Sequence, residues 1–477
     1  MQTMPTRRQF LKLVAPAAAG GVAWLAAART PAQAGTTKRA KADTAALRVA
    51  TFQCDLTPPL GHLLYPSLKP LAHIEHPLLA KGIVLDDGRQ RCILCAIEWH
   101  GLCNATYDLF CRKAAEAAGT DAARAALHAV HLQNAPVADA AALALVRAQA
   151  PAVYPDPKFF EEMADRLAAA VKQSVARWQP FDRVGAGEAK VERVASTRRV
   201  MGKDGRIRPR WSLVKGEDLP LRDEPEGLID PLLKTITLAR GDKPLVRLHY
   251  YACHPQTYFH DPRTTCDFPG MAREALEKKE DVFQVYFTGC AGDVLVGKYN
   301  DGTPQCREQL SRRLLAGMEA AITATRFEPA ESLQWRGTTV KLPAYAGPGQ
   351  TTADHRARMS NATLSPTARL DAAVRVTFPA RIERPLPVSS LRMGRVRVLA
   401  LPGECVVDYQ LYAQRCAPHD FVAVAAYTDF GPRSVCTDKQ YEEGGPEPVD
   451  ANVGPGCEAL LKAAIGRLLQ QPGPAAE

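Results

Sequence analysis

Three short stretches, far apart in the chain, each hold one strong metal ligand in a turn-like setting. They are His131 in HAVHLQNAP, His254 in YYACHPQTY and Glu404 in VLALPGECV. Each follows an apolar run that reads as a buried strand. Two imidazoles and one carboxylate are a ligand set of catalytic zinc sites that keep one position open for water. Such an ion acidifies its water toward neutrality and makes a nucleophile available. If the three side chains converge, the chain is a metal-dependent hydrolase or descends from one. His254 precedes Pro255, which biases its backbone toward an extended form and would present the ring at a strand end. Glu404 follows Pro402-Gly403; a buried carboxylate there needs a partner, and a metal is a good one. The competing readings are satisfied core histidines and a glutamate that caps the following helix.

Two further segments could serve such a site. Gly289-Cys290-Ala291-Gly292-Asp293 is a glycine-rich turn after a strand. Its glycines would allow close approach to the site, with Asp293 supporting it. Cys290 is a weaker candidate, as a nucleophile, because no histidine adjoins it in sequence. Residues 198–210 are basic and contain the hairpin turn Lys203-Asp204-Gly205-Arg206. They read either as a solvated hairpin or as a device that brings Arg198 or Arg199 to an anionic group of a substrate. His100, His128 and His260 lie near these motifs as core, supporting or surface groups.

The elements that must position these residues alternate along the chain. Strands are expected at 47–54, 82–86, 91–97, 126–131, 184–191, 282–288, 333–342, 396–401 and 421–427. A hairpin is expected from 234–240 and 245–253 across Gly241-Asp242. Helices are expected at 105–118, stopped by Gly119, and at 157–178, 270–279, 304–325 and 456–469. This mixture predicts an α/β protein, a mixed α+β sandwich of sheets flanked by helices. Residues 345–368 read as a long exposed loop or an internal boundary. No internal repeat is legible. The 13 cysteines sit mostly in apolar runs; Cys92 and Cys95 read as core residues of a strand, and no disulfide framework is indicated.

The N-terminus carries an address. Thr6-Arg7-Arg8-Gln9-Phe10-Leu11-Lys12 is a twin-arginine motif, followed by a weakly apolar run to Ala28 and an Ala32-Gln33-Ala34 cleavage site. The expected divisions are a signal peptide at 1–34, a basic linker at 35–47, a catalytic domain at 48–471 and a disordered tail at 472–477. The chain would meet the twin-arginine translocase, work in the periplasm or outside the cell, and carry no integral membrane span after cleavage. The formal charge is +9, but seven of the 60 basic residues precede the first acidic one, Asp43, so 53 face 51 in the rest. That near balance argues against nucleic-acid binding.

Taken in order, several segments resemble the neutral/alkaline non-lysosomal ceramidase family, in particular its short bacterial branch without the C-terminal immunoglobulin-like domain. They are Glu98-Trp99-His100-Gly101-Leu102, VHLQNAP, STRRV at 196–200, PEGLIDP at 225–231, YYACHPQTY, CDFPGMARE, FTGCAGDV, LPGE and YEEGGPEP. The resemblance implies the catalytic-domain fold of that family and one zinc ion on His131, His254 and Glu404, with water attacking the amide of an N-acyl or lipid substrate. It also implies two departures. Gln133 stands where the family has a second histidine; its amide can donate to an oxyanion but cannot shuttle a proton. Ser434 stands where the family has a tyrosine ligand. On this reading His131, His254, Glu404 and Ser434 surround the metal, and Gln133, Arg199 and Asp293 are the catalytic candidates. The rival is a catalytically impaired binding protein on the same scaffold, motivated by Gln133 and Ser434. An exported redox protein is disfavoured, because no haem, iron–sulfur or dinucleotide motif is present.

Overall fold

A computed structural model describes residues 46–347 and 349–470. The expected signal peptide, nearly all of the basic linker and the expected disordered tail lie outside the described residues. Among the described residues no helix is long and apolar enough to cross a membrane.

One supersecondary unit occurs three times. An antiparallel hairpin is followed by a helix, which crosses over to a strand parallel to the hairpin's second strand. In the first unit the strands are Leu79–Asp86 and Arg91–Ile97, the helix Asn104–Ala118 and the return strand Ala125–Ala129. In the second they are Leu232–Arg240, Lys243–Tyr251, Asp267–Glu280 and Phe283–Thr288. In the third they are Leu386–Met393, Val396–Ala400, Val407–Cys416 and Phe421–Ala425. Further antiparallel strands extend each sheet: Arg48–Asp55 and Gln179–Pro180 the first, Arg183–Lys190 and Arg326–Pro329 the second, and Gln334–Val340 the third. The repetition is topological, which is why the sequence shows no repeat: a period-2 strand constrains burial, not residue identity.

The local chemistry explains these elements. Asn104–Ala118 ends at Gly119, whose φ of 69° is the left-handed C-cap. Pro304–Thr323 begins with Thr303 accepting from the Cys306 amide and with proline in its first turn. The middle strands are buried almost throughout, as in Leu79–Asp86 and Lys243–Tyr251, so they read as apolar runs rather than alternations. Helices cover the sheets, and the parallel strands meet at the centre. There the Thr288 amide donates to His128 Nε2 (3.0 Å), the Ala426 amide to the Thr288 carbonyl (3.2 Å) and the Ala129 amide to the Tyr427 carbonyl (3.0 Å).

One expectation fails. Residues 345–368 are neither a long loop nor a boundary. They contain the helix Thr352–Ser360, started by a reciprocal Thr351–Asp354 capping box, and the first turn of Pro366–Ile382. The capping pair was present in the sequence, but the helix has a weak apolar face, with only His355 and Met359 buried, and so gave little periodicity. The helix Ala140–Gln149 was missed for a similar reason: it is nearly all alanine, leucine and valine and shows no contrasting polar face.

Candidate metal centre and substrate cavity

In every unit two loops leave the carboxyl ends of the paired parallel strands, where α/β sheets place their ligands. Those six loops supply the centre. His100, His254 and Glu404 follow the second strand of each unit, and His131, Asp293 and Tyr427 follow the return strand.

His131, His254 and Glu404 converge, buried, with one ligand atom from each within 4.8 Å of the others. His254 Nε2 lies 2.7 Å and His131 Nε2 3.6 Å from Glu404 Oε1. Both rings are aimed from behind. His131 Nδ1 is 2.8 Å from the His100 carbonyl, and His254 Nδ1 is 3.2 Å from the Val294 carbonyl. A carbonyl can only accept, so each Nδ1 carries a hydrogen and each Nε2 is the nitrogen turned toward the centre. Burial, eased by Glu404, lowers the His131 pKa to about 4, so the ring is neutral near pH 7. Burial alone would raise Glu404, but the adjoining His131 and His254 rings hold its carboxyl down at about 2. Neutral imidazoles beside an ionised carboxylate are the ligand-competent state. Two nitrogens and one oxygen, each with its outer partner, fit zinc.

The backbone is bent to achieve this. His131 has φ 68°, and Asn134, Tyr427 and Arg433 around it also have positive φ. Such conformations cost of order 1–3 kcal/mol each and concentrate at functional sites. Gly403 (φ 72°) turns the chain into Glu404, and a Cβ there would lie 2.9 Å from the Arg433 carbonyl. At Gly292 a Cβ would lie 2.7 Å from the Glu404 carbonyl. These two glycines are required by close approach. Tyr427 stacks on His131 at 4.5 Å between ring centroids.

The three ligands line a cavity of about 490 Å³. Gln133 lines it too, with Nε2 3.4 Å from His100 Nδ1. Tyr65, Trp211, Arg375, Arg433, Val449 and Asp450 complete the lining. A larger cavity of about 1090 Å³ lies beside the helix Asn104–Ala118 and holds none of these ligands, so volume alone misidentifies the site.

Three expected residues sit elsewhere than predicted. Arg199 is turned away: it pairs with Glu443 (3.0 Å) and with Glu447. Its neighbour Arg198 lines the cavity instead, with Nε on Glu447 (2.5 Å) and no partner among the described residues for its terminal nitrogens. Arg198 lies in the bend between the short strands Ser196–Thr197 and Arg199–Met201, and both arginines reach the two oxygens of Glu447. Asp293 does not line the cavity. It accepts from the Val407 amide (2.9 Å) and Gln440 Nε2 (3.0 Å), and burial beside Glu447 pushes its carboxyl up to about 7. It therefore anchors the loop whose Val294 carbonyl aims His254. Ser434 lies opposite Glu404 in a parallel bridge, and its hydroxyl is 3.3 Å from Glu404 Oε2, behind the carboxylate rather than facing the histidines. Cys290 is wholly buried, and all 13 cysteines are free thiols. The residues missed by sequence reasoning are Tyr65, Trp211, Arg375, Arg433 and Asp450. They belong to no shared motif and are dispersed over the chain. His100, expected as a core, supporting or surface group, is a supporting one: its carbonyl aims the His131 ring.

No family model matches the chain, and no curated protein matches it. Solved structures do. Neutral ceramidase from Pseudomonas aeruginosa superposes with a TM-score of 0.67 at 14% identity, over 90% of this chain and 74% of that one. A ceramidase complexed with C2 gives 0.66 at 14% identity, over 89% and 75%. Agreement over about nine-tenths of the chain at so low an identity concerns the fold, and the chain has the fold of neutral ceramidase.

Proposed function

We propose that this chain is an exported zinc-dependent hydrolase that cleaves the linear amide of an N-acyl compound into a carboxylic acid and an amine. The observation that carries the reading is the convergence of two buried Nε2 atoms and one buried carboxylate on the wall of a cavity, within a fold shared with neutral ceramidase. When bound, zinc supplies Lewis acidity toward a carbonyl oxygen and acidifies water. The chain does the rest. His131 and His254 hold their lone pairs on the centre through fixed tautomers, and Glu404 supplies the negative charge. The Gln133 amide and the free terminal nitrogens of Arg198 face the same cavity and are placed to donate to a carbonyl oxygen as it gains charge. Trp211, Phe430 and Val449 give the cavity apolar surface for an acyl chain, next to polar groups that fix the head. The twin-arginine motif supports export in folded form, with periplasmic or extracellular action; lysines in place of Arg7 and Arg8 should hold the precursor in the cytoplasm.

The test is release of amine from a series of N-acyl amides of increasing chain length, with and without a chelator. Hydrolysis that is lost on chelation and restored by zinc supports the reading. A second reading rests on Gln133, which cannot carry a proton between water and the leaving amine. It makes the chain a binding protein, and saturable binding of the same amides without release of amine would establish it over the hydrolase.

A further inference from the structure

A second constellation lies apart from the cavity, where the helix Asp267–Glu280 begins. His76, Cys266 and Glu274 each bring a ligand atom within 4.8 Å of the others. Cys266 and Glu274 are eight residues apart, two turns along one helix face. They can meet because the residue between them on that face is Gly270. A Cβ at Gly270 would stand 2.2 Å from Cys266 Cβ and 2.6 Å from its Sγ. The glycine φ is ordinary, so it is required by the space it leaves for the thiol and not by backbone conformation. Cys266 occupies the N-cap position yet makes no capping hydrogen bond, and its Sγ has no partner among the described residues despite 1% exposure.

The other two ligands are prepared in the same way. The Thr265 hydroxyl accepts from the Asp267 amide (3.1 Å) and from Arg307 Nη1 (3.0 Å) and so turns its hydrogen to His76 Nδ1 (3.3 Å); Nε2 has no partner among the described residues, and an ion bound there would displace its hydrogen to Nδ1. The His76 loop is held to the helix start, with the Thr264 hydroxyl donating to the His76 carbonyl (3.0 Å). Arg273 Nη2 donates to Glu274 Oε1 (3.1 Å) and Glu98 Oε1 (2.9 Å), and the second oxygen of Glu274 has no partner among the described residues. The charge is also unbalanced in the sense a cation needs. Glu277 is matched by Lys81 at 2.9 Å, whereas Glu98 and Glu274 share the single guanidinium of Arg273.

We propose that His76 Nε2, Cys266 Sγ and Glu274 form a second metal site, distinct from the cavity, that takes zinc or a metal of similar softness. A thiolate with an imidazole and one carboxylate favours zinc over magnesium or calcium, which select all-oxygen sets. On binding, the thiol gives up its proton to water and the sulfur bonds the ion. The site ties the loop after His73–Ile74 to the start of Asp267–Glu280 and so acts on stability.

Cobalt loading of the full mature chain tests this. The His131, His254 and Glu404 site has no sulfur, so a thiolate-to-cobalt charge-transfer band reports the second site alone. The expected result is such a band in the native protein and in His254→Ala, lost in Cys266→Ser and weakened at least about tenfold in cobalt affinity in Glu274→Gln. A native spectrum without the band, or a band that survives Cys266→Ser, overturns the proposal. The Glu274→Gln variant, at a half-buried position, keeps the test decisive should Cys266→Ser fail to fold. Because the band is read in His254→Ala as well, failure of the cavity metal and failure of this site are separable.

Discussion

The two walls of the cavity are built differently. The ligand wall comes from the unit that occurs three times: His131, His254 and Glu404 stand at the ends of its parallel strands, and the two rings are aimed by backbone carbonyls. The remaining wall comes from segments placed before, between and after those units. Tyr65 precedes the first, Arg198 and Trp211 separate the first from the second, Arg375 stands before the third, and Val449 and Asp450 follow it. That wall is held by side-chain charge. Arg433 donates to Asp371 (3.0 Å), to Asp450 (2.6 Å) and to the Tyr65 hydroxyl (3.0 Å), drawing three insertions onto the third unit. A frame fixed by backbone bonds can keep metal geometry constant, while side-chain contacts on insertions can change to suit the substrate.

This contrast can be broken by substitution. The largest effect belongs to the frame: Glu404→Gln keeps the shape but removes the charge, and kcat/KM for the best amide should fall by about 10³-fold or more. Next comes Arg433→Ala, which takes from Asp371 and Asp450 the guanidinium they share. Denaturant unfolding should show a loss of about 3–5 kcal/mol, with zinc still bound in the folded protein. Arg198→Ala should lower kcat/KM by roughly 10–100-fold with zinc content unchanged, the cost of one or two charged hydrogen bonds. Ser434→Ala is the smallest. It removes one weak contact to the back of Glu404 and should weaken zinc by about tenfold in competition titrations. Loss of zinc in Arg198→Ala would erase the distinction between the walls.

The same contrast explains what the sequence revealed. His131, His254 and Glu404 were legible because each ends a contiguous apolar strand, so residue type and position are read together. The remaining wall was not, because Tyr65, Trp211, Arg375 and Asp450 are ordinary loop or helix residues whose partners lie in other elements, from 17 positions away for Asp450 to 368 for Tyr65. Arg198 and Arg199 mark the limit of local reading: both reach Glu447, and only the tertiary position of Glu443, which takes Arg199 as well, separates the residue that lines the cavity from the one that does not. Asp293 and Ser434 were placed near the site correctly but one layer too far forward. Most strands and long helices were legible from apolar runs and caps. The threefold recurrence of the unit was not, since it preserves topology without preserving residues.

Asp293 also predicts a pH dependence. Burial, with Glu447 beside it, raises its carboxyl from the ordinary range to about 7 in the folded chain. The folded state therefore holds this proton more tightly than the unfolded state. Its contribution to stability is present at low pH and is lost as pH rises from about 4 to about 7. Asp293→Asn should flatten that part of the stability profile, measured by denaturant unfolding at a series of pH values. An unchanged slope would remove Asp293 from the account of how the His254 loop is held.

The most direct test is elemental zinc analysis of the purified mature chain beside His254→Ala. The convergence of His131, His254 and Glu404 predicts that the variant contains about one zinc fewer per chain than the native protein and releases no amine from N-acyl amides. Equal zinc in the two proteins would contradict it.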